Sequence, residues 1–268
     1  MVGTGQPTPV RGQRRAGAVV VACCALAALL APPFALAQTT ASDTPRCVNA
    51  INKGMRKVTL AATKQLRSCV TKLAGGTLGS ATVAHCVASS PGVGKAVLGA
   101  LISADNTCDG LPPAFGPPSI ATHGPRAVVL TEQLLGDLFG ATPESVLATN
   151  SLVMGCQTAV LKAAGKCEDL RINSFNKCKK EGLKRGFVTS AVELQATCLG
   201  TGTSQPDPTG GKIASTCTTV AAKKIDGSCV SRGVALASAF PGCGATTAAG
   251  LAGCVDERLR CRFCTLLN

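Results

Sequence analysis

The chain has 268 residues and a formal net charge of +13, with 16 Cys, 7 Phe and neither Trp nor Tyr. Aromatic side chains normally supply much of a core's buried area, so this core has to come from Ala, Val, Leu, Ile and cystine. The same scarcity argues against nucleic acid as a partner, since single strands are usually held by stacking on aromatics.

Residues 1–37 read as a targeting segment. Arg11, Arg14 and Arg15 precede an uncharged apolar run from Ala16 to Leu30, and Ala35-Leu36-Ala37 offers small residues for cleavage before Gln38. Arg14-Arg15 and Val20-Val21-Ala22-Cys23 are weaker matches to a twin-arginine signal and a lipoprotein box. The apolar run is short of the roughly 20 residues that a span needs, and no later stretch replaces it. The mature chain is therefore expected outside the cytoplasm, secreted or periplasmic or at the cell surface, without a transmembrane span. It keeps 24 basic against 14 acidic residues and fourteen cysteines. That even number suits a disulfide framework in an oxidising compartment, each bond contributing about 2–4 kcal/mol.

A first cysteine-rich unit is expected over 38–110. Val48, Ile51, Met55, Val58, Ala62, Leu66 and Cys69 recur at helical steps and predict a helix over 47–69, ended by Gly75, Gly76 and Gly79. Cys47 to Cys69 and Cys86 to Cys108 are equal intervals of 22 residues, each about 33 Å of helix. Folded back antiparallel, they pair Cys69 with Cys86 at the turn and Cys47 with Cys108 at the far end. Pro91, Gly92 and Gly94 interrupt the return, so its helix is expected from about Lys95 to Ala104. Residues 111–125 read as a Pro/Gly-rich linker.

The second unit, 126–268, opens with a helix over about Arg126–Phe139. Thr142-Pro143 signals the start of another, which carries Cys156, Cys167 and Cys178 on one face at intervals of 11. Cys156, Ala159 and Lys162 repeat the spacing of Cys47, Ala50 and Lys53, the mark of a degenerate internal repeat. By analogy with the first unit, Cys178 is expected to pair with Cys198, and Cys156 with Cys217. Cys254, Cys261 and Cys264 share a face of a C-terminal helix, with Cys167, Cys229 and Cys243 as available partners in no assigned order. The whole is an all-α, disulfide-stapled set of helical hairpins in two degenerate repeat units.

The Cys-x-x-Ala-x-x-Lys openings, the Cys243–Cys254 segment and the Cys261-Arg-Phe-Cys264 ending resemble a group of uncharacterised exported bacterial proteins. These are cysteine-rich, helical and internally repeated. The resemblance implies fold and compartment and carries no activity.

Four motifs touch on chemistry. Thr82-Val83-Ala84-His85-Cys86 matches the histidine segment of trypsin-like proteases, but the nucleophile segment and the strand pattern are missing. Pro91-Gly92-Val93-Gly94-Lys95 approaches a phosphate-binding loop, but Ser89 and Ala96 replace two defining residues and no strand precedes it. Cys261-Arg-Phe-Cys264 lacks the βαβ setting of a redox motif. A zinc site from Cys254, Cys261, Cys264 and one more cysteine competes with disulfide formation, and His85 and His123 stand far apart. No catalytic residue, metal site or cofactor is expected.

The basic charge is what points to a partner. Seven Lys/Arg and no acid lie between Arg46 and Lys72, and eight against three between Lys162 and Arg185. Such faces attract anionic polysaccharide or lipid headgroups. The expected contacts are Lys53, Arg56, Lys57, Lys64 and Arg67 in the first unit and Lys177, Lys179, Lys180, Lys184 and Arg185 in the second. The expected function is a non-catalytic exported structural or binding module. The alternative is a redox or metal-binding protein that uses the C-terminal cysteines.

Overall fold

A computed structural model of the chain describes residues 44–108, 120–147, 150–199 and 209–267. The expected leader, residues 109–119 of the linker region and most of the loop before Gly211 lie outside these. Among the described residues every regular element is helical, and none is long and apolar enough to cross a membrane.

The first element, α1 (Thr44–Ala74), overruns the predicted helix by a few residues at each end. Its predicted stripe is the core: Val48, Ile51, Met55, Val58, Ala62, Leu66 and Cys69 are all at most 2% exposed. Gly76, at φ 67°, takes the left-handed conformation that closes the helix, with Thr77 N donating back to Lys72 O.

The return leg is α2 (Val83–Ala88) followed by α3 (Pro91–Cys108). The expectation that Pro91 and its glycines spoil this stretch is corrected. Pro91 is the first residue of α3, where its missing N–H would have had no intrahelical partner anyway. Cys69 is bonded to Cys86 and Cys47 to Cys108, with Cα atoms 6.0 and 4.7 Å apart, as the equal intervals require.

α4 (Ile120–Phe139) begins six residues before the expected start and takes in residues 120–125 of the expected linker. Pro125 lies in its second turn, where losing a hydrogen bond does not end the helix. The Thr142-Pro143 signal starts only the short α5 (Pro143–Val146). The long helix α6 (Ser151–Arg185) has its own cap, Asn150, whose side chain accepts from Leu152 N at 2.8 Å. Gly186, at φ 76°, ends it.

Downstream, α7 (Ala191–Leu194) runs into a π-helical turn, Gln195–Leu199. α8 (Lys212–Ala214) passes through a second π-helical stretch, Ser215–Val220, into α9 (Ala221–Ser228). α10 (Leu236–Ala239) and α11 (Ala248–Leu267) complete the chain.

Each π-helical stretch carries a cysteine bonded to α6, Cys198 to Cys178 and Cys217 to Cys167. The expected Cys156–Cys217 bond is therefore wrong: Cys156 is bonded to Cys229. α6 and the π-helix–α9 segment run antiparallel, so the earlier cysteine of one takes the later cysteine of the other. Cys254, from the group left unassigned, is bonded to Cys243.

The two halves of the chain share one core. α1 packs against α2, α3, α4 and α6, and α6 packs in turn against α9 and α11. α1 and α6 are antiparallel, because Lys179 reaches Val48, Asn176 reaches Asn52, Asp169 meets Arg56 and Glu168 meets Thr63. Gly165 allows the close approach, since a Cβ there would stand 2.9 Å from Thr63 Cγ2.

Candidate basic face

The contacts between α1 and α6 fix where the lysines point. At 3.6 residues per turn, Lys53, Lys57 and Lys64 fall within about 40° of one another, about 120° round α1 from the edge that touches α6. Lys162, Lys166, Lys177, Lys180 and Lys184 fall within about 60°, about 100° round α6 from its edge on α1 and in the same rotational sense. Equal rotations of the same sense on antiparallel helices lead to the same side. The two rows therefore form one face, and all eight lysines are exposed. The α6 row runs about 33 Å from Lys162 to Lys184.

The face is not the full set expected from the sequence. Arg56 lies at the seam between the helices, where its Nε donates to Asp169 Oδ1 at 2.7 Å. Arg67 is half-buried, and Arg185 is paired with Glu181 beyond the end of the row.

Lys179 has to be withdrawn as a surface contact. It is 0% exposed, 100° round the helix from Lys180, with Nζ 3.3 Å from Val48 O and 5.4 Å from the Phe175 ring centroid. Burial lowers its pKa from the ordinary lysine value to about 7. It fell within the charge run, and only its helical phase separates it from its neighbours.

Sequence reading did not name Lys162, Lys166 or Lys224 as contacts. Lys162 and Lys166 are one turn apart on α6, and Lys224 of α9, which packs against α6, comes beside Lys166. The Lys166 pKa is lowered, first by that contact and the Lys224 charge, with desolvation and Lys162 adding to it. The α6 pair was legible as an i,i+4 step, whereas Lys224 joins it only through the fold.

Beneath the face lies a buried charged cluster. Thr63 Oγ1 donates to Glu168 Oε2 at 2.7 Å, Arg262 Nη2 stands 3.7 Å from Glu168 Oε1, and Arg171 is paired with Asp256. Burial raises the Glu168 pKa against the opposing pull of Arg262 and Thr63, and burial also lowers the Arg262 pKa. The adjoining cavity is about 10 Å³, room for about one water and far below the roughly 300–1,000 Å³ of small-molecule pockets. The cluster joins α1, α6 and α11.

Cys167, Cys217 and Asp256 come close enough together for a metal site, but the two sulfurs are bonded to each other and offer no thiolate. Cys254 is likewise withdrawn from a C-terminal thiolate set by Cys243, and the Cys264 side chain lies outside the described residues. His85 is exposed on α2, its backbone N–H donating to the Thr82 cap at 3.1 Å. Pro91–Lys95 is the opening of α3 and follows a helix. No protein-family model, curated protein or solved structure matches the chain.

Proposed function

We propose that the protein is a non-catalytic, exported binding module that engages an anionic surface, glycan or lipid, through the lysine face of α1 and α6. The observation that carries this reading is two exposed lysine rows, from distant parts of the sequence, on one side of an antiparallel helix pair in which each helix is stapled by its own disulfides. Within each row, lysines one turn apart are about 6 Å apart along the helix, inside a Debye length of about 8 Å at physiological salt. An extended anionic surface can meet both rows at once. We read α1 and α6 as the cores of a duplicated unit, with Cys156–Cys229 and Cys178–Cys198 answering Cys47–Cys108 and Cys69–Cys86.

The test is retention on anionic glycan resin and on anionic vesicles. Reversing Lys53, Lys57, Lys64, Lys177, Lys180 and Lys184 to Glu is expected to abolish salt-sensitive retention while leaving the helical circular dichroism unchanged. Undiminished retention by that variant would refute the proposal.

A further inference from the structure

We propose that Lys162 and Lys166 of α6 and Lys224 of α9 form a clamp for a dianionic phosphate group, such as a phosphomonoester carries. The inference rests on the reading of the basic face as an anion-binding surface and names what that face grips at one end.

Lys162 and Lys166 of α6 and Lys224 of α9 are all exposed, on two elements that pack against each other. Cys156–Cys229 and Cys167–Cys217 bracket the site. On α6 the bonded cysteines flank Lys162 and Lys166, and on the facing segment they flank Lys224. Mutual repulsion would drive free side chains and free helices apart, but two cystines keep these backbones in register. The positive site is thus assembled before any ligand arrives, which lowers the ordering cost of binding.

The donor set selects the ligand. Lysine ammoniums are compact point charges with rotatable donors, whereas arginine's planar fork is matched to bidentate recognition. A phosphomonoester has a second pKa near 6 and three free oxygens, so at pH 7.5 it offers each amine an oxygen and carries close to two charges. A carboxylate or a phosphodiester brings one charge and two free oxygens. Asp169, three residues from Lys166 on α6, is already committed to Arg56.

The experiment uses the full oxidised chain at pH 7.5. Inorganic phosphate is titrated calorimetrically against chloride at matched ionic strength. In parallel, retention is compared on phosphatidate and phosphatidylglycerol vesicles matched in zeta potential. Phosphate is expected to bind where chloride does not. Lys224→Met should weaken that binding about tenfold or more, the usual worth of a charge-assisted hydrogen bond, while Lys53→Met leaves it unchanged. Preference for phosphatidate supports a headgroup as the source, and phosphate binding without that preference supports a soluble phosphoester. Phosphate indistinguishable from chloride, or bound equally by Lys224→Met, overturns the clamp. Vesicle retention without phosphate selectivity removes the clamp and leaves the basic face. Phosphate selectivity without retention on any anionic surface keeps the clamp and removes the wider reading.

Discussion

Lys179 shows what a single side chain can cost and how to detect it. Its ammonium is taken from water into the α1–α6 seam, where the Val48 carbonyl and the face of the Phe175 ring replace bulk solvation. The folded pKa of about 7 lies below the ordinary lysine value of 10.5, so between those values the unfolded chain binds more protons than the native one. Stability from this group therefore rises as pH climbs from about 7 toward 10.5, and it is lost as pH falls through 7. Chemical denaturation from pH 6 to 9 is expected to show that rise. Lys179→Met should remove it and raise stability at pH 6 by on the order of a few kcal/mol, one pKa unit being about 1.4 kcal/mol. The substitution leaves Val48 O satisfied, because Asn52 Nδ2 also donates to it at 2.9 Å. An unchanged pH slope in Lys179→Met would show that the amine stays solvated. A count of charges alone marks Lys179 as one more member of a basic run. Its burial follows from where α1 lies, which no local pattern encodes.

At the level of elements, interval arithmetic worked wherever it was applied to an antiparallel pair. The 22-residue intervals placed Cys47–Cys108 and Cys69–Cys86, and every residue of the predicted α1 stripe is buried, though the buried face also takes in Asn52, Thr59, Thr63 and Val70. The same arithmetic was available for α6: Cys156 to Cys167 is 11 residues and Cys217 to Cys229 is 12, so the crossed pairing follows from the near-equal intervals. Analogy with the first unit skipped Cys167 and so misplaced Cys217. The π-helical stretches could not be read in advance, since a widened turn leaves no periodic mark over five or six residues. The start of α6 was missed because Asn150 is a weaker signal on paper than Thr142-Pro143. These bonds differ in leverage. Cys156–Cys229 closes a 73-residue separation and Cys243–Cys254 one of 11. With Cys167–Cys217 left intact the loop closed by Cys156–Cys229 shortens to roughly 25 residues, and in the chain-entropy account the two bonds are worth about 3.5 and about 2.8 kcal/mol respectively. Paired Cys→Ala variants, compared by denaturant midpoint, are expected to show the larger loss at Cys156/Cys229. The reverse order would mean that native-state packing around α11 outweighs unfolded-state entropy.

For the whole molecule, the decisive property is that eight exposed lysines of α1 and α6 fall on one side. A net of +13 spread evenly would favour solubility and little else, whereas two aligned rows make a directed field. The arrangement can be tested without knowing the natural ligand. On a polyanion, each lysine contact that releases a counterion contributes about 0.7–0.9 to the slope of log affinity against log salt. Two triple variants to Gln are compared, one at Lys53, Lys57 and Lys64 and one at Lys177, Lys180 and Lys184. With both rows on one side, a broad anionic surface touches both, so each triple variant lowers the slope and the combined variant lowers it by about the sum. With the rows on opposite sides, a bound surface would use one row at a time. Either triple variant would then keep the full slope through its intact row, and only the combined variant would lose it. Additive losses are expected here, because α1 and α6 are antiparallel and their lysines are rotated alike from the shared seam.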